Sequence, residues 1–218
     1  MNDDEDGGYP RVVSRGRTFV YLLPCRDEDI LKAGFSRNPL QRLHALHRRY
    51  FDFFDLDRAL LIEAERLRDA RRIERLFITR FAAARSPAPL VIRDAAAGRT
   101  EWFRGVAAEA DALAREVAEE EGLRLHSPLR GWLLERFGEH ADRLYEWSER
   151  LLDSIDYEHF NPAAGPRDEE SVRLLRHVLD ACTALGMHLQ SVVPPRVLLW
   201  YEAGDSQRPA SFHCGFAC

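Results

Sequence analysis

Residues 17–50 leave the chain little freedom, because a strand, a polar turn, a second strand and a helix start follow one another almost without slack. Thr18-Phe19-Val20-Tyr21-Leu22-Leu23 is β-branched and aromatic, a composition that fits a pleated surface, and it ends at Pro24, which has no N–H to give to a ladder. Arg26-Asp27-Glu28-Asp29 reads as a turn. Ile30–Ser36 then alternates, with Leu31, Ala33 and Phe35 on one face and Lys32, Gly34 and Ser36 on the other. Two such runs predict an antiparallel hairpin. Asn38-Pro39 supplies an N-cap and a first helical residue, and Leu40, Leu43, Leu46 and Tyr50 follow at helical spacing, with Arg42 and Arg49 on a different face.

Further along, Ala59-Leu60-Leu61-Ile62 predicts a third strand, and Ala70, Ile73, Phe77, Phe81 and Ala84 predict a long helix with Glu74 at the edge of its apolar stripe. Val106, Ala110, Leu113 and Val117 mark another helix, closed by Glu119-Glu120-Glu121-Gly122. Ser127-Pro128 opens a helical stretch carrying Trp132, Leu133, Phe137, Leu144, Trp147, Leu151 and Ile155. Turn residues place a loop at Asn161–Pro166, and Val172, Leu175, Leu179, Cys182 and Leu185 form a last helical stripe stopped by Gly186. Pro194-Pro195 precedes a strand-like Val197–Tyr201. The expected class is α+β: a small mixed sheet of about three strands with flanking helices, then a mainly helical second domain. The expected domains are a disordered acidic leader at 1–15, a first domain at 16–122 and a helical one at 123–218.

The 218 residues are 45% apolar with a mean hydropathy of −0.38, enough for a core and without a run of the roughly 20 apolar residues that a membrane span needs. The acidic start Asp3-Asp4-Glu5-Asp6 is the reverse of a secretory signal. Cys25, Cys182, Cys214 and Cys218 are scattered, as in a reducing compartment, so a cytoplasmic address is expected. His213, Cys214 and Cys218 offer three soft ligands without a fourth, and a plain apolar tail is preferred to a zinc site there. The net charge of −5 hides an asymmetry: residues 8–107 hold 20 Lys+Arg against 12 Asp+Glu, whereas residues 108–218 hold 11 against 20. A basic first half fits a polyanionic partner. The acidic second half offers a surface for self-association or for a regulatory protein partner.

The order hairpin, helix, strand, helix, with a tyrosine in the first strand, a glycine in the second, an arginine early in the first helix and a glutamate in the later one, resembles the GIY-YIG endonuclease family. The residues that carry the resemblance are Phe19-Val20-Tyr21, Lys32-Ala33-Gly34, Arg42, Glu74 and Glu101-Trp102-Phe103. Lysine in the second tripeptide and Glu-Trp-Phe are similar to one subgroup. Phe19 departs from the glycine that opens the family's first tripeptide, and Ile78 stands where a histidine often follows the helical glutamate.

The resemblance implies a Mg²⁺- or Mn²⁺-dependent hydrolase acting on DNA. Glu74 would be the metal ligand, since Mg²⁺ keeps most of its waters and needs one or two carboxylates. Arg42 would hold the phosphate oxygens in its planar fork. Tyr21 would serve the attacking water as base or orienter, with Lys32 easing formation of its phenolate. His47, about one turn beyond Arg42, is a further candidate for proton transfer. Glu101-Trp102-Phe103 is expected to be structural. The other reading is a nucleic-acid or protein binding module that kept this fold and lost the chemistry, with a helical interaction domain behind it.

Overall fold

The computed structural model describes residues 16–92, 98, 100–161 and 169–204. The leader, the tail with His213, Cys214 and Cys218, and the turn residues 162–166 lie outside the described residues. Two compact units are present: one takes the described residues up to His140 with Ala184–Gly186, the other Ala141–Thr183 and the described residues from Met187.

In the first unit the hairpin forms from β1 (Thr18–Pro24) and β2 (Ile30–Ser36), with Tyr21 opposite Gly34 and Leu23 opposite Lys32. Asn38 caps α1 (Pro39–Leu46) by accepting from the Gln41 N–H, and α2 (Tyr50–Phe53) follows. β3 (Leu60–Ala64) then returns on the free side of β1. After α3 (Leu67–Arg80), β4 (Trp102–Arg104) pairs with β2. α4 (Ala107–Glu120) leads to β5 (Arg124–His126) beside β3, and α5 (Leu129–Gly138) follows.

The sheet therefore has five strands in the order β4-β2-β1-β3-β5, all antiparallel, which corrects the expected mixed sheet of about three. β4 and β5 have three residues each, too few for alternation to show, and they exist because β2 and β3 offer them open edges. A mixed sheet would need a parallel pair, and each added strand here enters antiparallel to its neighbour.

One face of the sheet is apolar. Val20, Leu22, Leu31, Ala33, Leu60 and Ile62 pack with Ala70, Ile73 and Phe77 of α3 and with Ala110, Ala114 and Val117 of α4. Strand alternation puts Phe19, Tyr21, Lys32, Gly34, Glu63 and Trp102 on the other face. There Phe19 meets Trp132 of α5 edge-on at 5.5 Å.

The second unit contains α6 (Ala141–Phe160), most of α7 (Glu169–Leu185) and α8 (Pro195–Glu202). α8 replaces the strand expected at Val197–Tyr201: Pro195 sits in the first helical turn, where a missing N–H costs nothing, and this outweighs the β propensity of the run. Arg196 reaches Asp153 and Asp156, Tyr201 donates to Asp180 at 2.7 Å, and Arg176 lies over Trp200 at 4.9 Å. Among the described residues no helix is long and apolar enough to cross a membrane. Cys25 and Cys182 are buried thiols, each pushed up to about 12 by desolvation.

Candidate active site

Tyr21 stands mid-strand on β1 with its ring laid across Gly34 of β2. An added Cβ at Gly34 would overlap the Tyr21 hydroxyl and lie 2.8 Å from its Cε2, so the missing side chain is the space the tyrosine occupies. The ring's hydroxyl accepts from Arg42 Nε at 3.0 Å, and α1 is set for this contact by its Asn38 cap and buried Leu40, Leu43 and Leu46. Burial raises the Tyr21 pKa above its usual value of 10.0, with Arg42 pulling the other way, so near neutral pH the group is a phenol held by a guanidinium.

Lys32, next but one to Gly34 on the same face, is a lysine only 1% exposed. Its Nζ lies 3.3 Å from Glu101 Oε2 and 5.1 Å from the centre of the Trp102 ring. Gly98, at φ +66°, lies against the pair: a Cβ there would overlap Glu101 Oε2 and sit 3.0 Å from Lys32 Nζ. Desolvation pulls the Lys32 pKa down against the pull of Glu101. Burial pushes the Glu101 carboxyl up, but Lys32 and the Thr100 hydroxyl and N–H hold it below its usual value.

Glu74, on the flank of α3, is half-buried and makes no hydrogen bond or ion pair among the described residues. Its pKa is raised, first by burial and then by the charge of Glu101, while Lys32, Arg42 and Arg71 draw it down. The same field links Glu74 to Tyr21. Tyr21, Lys32, Arg42, Glu74 and Glu101 are thus one electrostatic group. His47 ends α1 and stacks on Phe53 at 4.5 Å.

Glu101 is the residue that sequence alone assigns to structure. Trp102 and Phe103 do close the core at 1% and 0% exposure, yet the glutamate beside them holds the buried lysine. The signal in the sequence is a lone carboxylate in a tripeptide otherwise made for burial, and a buried lysine needs such a partner.

Just under half of the chain is similar to a known domain family. Residues 18–118 match the T5orf172 domain. That is a different family from GIY-YIG, although itself an endonuclease-like domain, and it corrects the family that the tripeptides suggest. A strand tyrosine laid over a strand glycine is a packing solution open to any hairpin, so the tripeptides mark the architecture more strongly than the family. The T5orf172 match suggests a nuclease or DNA-binding role. No curated protein and no solved structure matches the chain.

Proposed function

We propose that the T5orf172-like region is a metal-dependent endonuclease hydrolysing phosphodiester bonds in DNA. The observation that carries this reading is Glu74: a half-buried carboxylate without a hydrogen-bond partner among the described residues, within electrostatic reach of the part-buried Tyr21–Arg42 pair. Its oxygens are absent from the buried unpartnered atoms of the described residues, so the carboxylate is open to a ligand from solvent.

The residues fit a hard cation of the Mg²⁺ kind. Glu74 offers one open carboxylate and Glu101 a second nearby charge, while no group of three or more His, Cys, Asp or Glu gathers among the described residues. Bound there, Mg²⁺ or Mn²⁺ would supply charge neutralisation at the phosphate. Arg42, anchored through Nε, would orient the non-bridging oxygens and stabilise the charge that develops on them. Tyr21, kept protonated by burial, suits the orientation of water better than its deprotonation. The Lys32–Glu101 pair would fix the ammonium beneath the site.

The test is cleavage of duplex, single-stranded and branched DNA by purified protein with Mg²⁺, Mn²⁺ or chelator. Cutting should require the metal and disappear in Glu74→Ala, and Tyr21→Phe or Arg42→Ala should each cost about a hundredfold or more. Cleavage undiminished in Glu74→Ala would sink the assignment. Binding of DNA without any cleavage would give the region to the binding-module reading.

A further inference from the structure

Helix α3 buries Ala70, Ile73 and Phe77 and presents Arg68, Arg71, Arg72 and Arg75 to solvent. At about 100° per residue, Glu74 borders the buried stripe, and moving outward from it come Arg71, Arg75, Arg68 and finally Arg72. These arginines differ in their commitments. Arg72, on the far side, is tied to Glu121. Among the described residues Arg68 has only its neighbour Asp69 at 3.6 Å, with a side chain 73% exposed. Arg71 and Arg75 make no ion pair or hydrogen bond among the described residues, and the charge of Arg71 already reaches Glu74.

The ridge costs the helix something. Arg71 with Arg75, and Arg68 with Arg72, are like charges at i and i+4, which disfavour the isolated helix. A polyanion laid along the ridge would convert that repulsion into attraction. Along the axis Arg68 and Arg75 are about 10 Å apart, about three phosphate steps of one strand at about 3.4 Å each. The ridge begins one step around the helix from Glu74, at Arg71, and Glu74 feels the charge of both Arg71 and Arg42.

We infer that the Arg68–Arg71–Arg75 face of α3 carries the DNA backbone away from the cleavage site, gripping phosphates without reading bases. This rests on the reading of the site as acting on DNA, and it adds the surface that supplies affinity.

The experiment measures binding of the full chain to two short duplexes of unrelated sequence, in chelator, across a range of salt. Replacing Arg68, Arg71 and Arg75 together with Gln should lower the slope of log K against log salt by about 2 to 3 units on both duplexes, near 0.9 for each phosphate no longer neutralised. Lysine at all three positions should keep the slope, which separates charge from folding, and Arg72→Gln should leave it unchanged. An unchanged slope in the triple Gln variant, or absence of duplex binding by wild type, overturns the surface. If the triple variant loses slope but wild type cuts nothing with Mg²⁺, the surface stands and hydrolysis fails. If wild type cuts and the triple variant keeps its slope, hydrolysis stands and the surface falls.

Discussion

Glu63 and Glu74 belong to the same compact unit and live under opposite conditions. Glu63 on β3, 8% exposed, accepts from Arg17 and from His126 Nε2 at 2.9 Å, and the rings of Phe19 and Trp132 stand around that histidine. Burial pushes its pKa up, but the hydrogen bonds from His126 and Arg17 outweigh this and leave it below 4.5. Glu74 has no such partners among the described residues, so burial and the charge of Glu101 prevail and its pKa rises. The first carboxylate is a closed joint between β3 and β5. The second has no partner of that kind among the described residues, and that openness is what the proposed metal-binding role requires.

The largest expected effect comes from closing the open site by one methyl group. Gly34→Ala puts a Cβ where the Tyr21 hydroxyl now lies, so single-turnover cleavage should fall about a hundredfold or more, on the scale of a lost acid-base group. Undiminished cleavage would mean that the Tyr21–Arg42 contact is not part of the chemistry. Next in size is stability. Glu63→Gln leaves Arg17 and His126 facing a neutral amide, and denaturant unfolding should show a loss of about 2 kcal/mol with turnover per folded molecule preserved. Glu74→Gln should show the reverse, with turnover lost and stability unchanged or slightly raised; equal destabilisation of both variants would erase the contrast. The smallest effect is in acid. Because the folded pKa of Glu63 lies below its ordinary 4.5, the stability it adds is fully present above that pH and is lost as the pH falls through and below it. The gap in Tm between wild type and Glu63→Gln should therefore be constant near neutral pH and narrow below about 4.5.

What can be read in the sequence is what local physics determines. Seven-residue strands with alternating faces, a helix capped by Asn38 and begun by Pro39, and an apolar stripe through Ala70, Ile73 and Phe77 all announce themselves within one or two turns of chain. β4 and β5 do not, since three residues carry no period and their pairing depends on partners far away in sequence. The site divides similarly. Tyr21, Lys32, Arg42 and Glu74 stand out by their order along the chain. The partnership of Lys32 with Glu101 joins residues 69 apart and follows from β4 lying beside β2, which no local pattern reports.

Those two short strands also bear on how the protein behaves in a crowded solution. A sheet's outermost strands present unmatched amide and carbonyl groups, templates on which another chain can stack and begin to aggregate. β4 offers only three residues, and part of its outer side is already taken: Arg85 bridges to Phe103, and the Ser86 N–H bonds the Trp102 carbonyl. β5 is equally short and begins with an exposed arginine. The long, apolar central strands, which would make an adhesive template if they stood at a border, are thereby shielded from intermolecular growth.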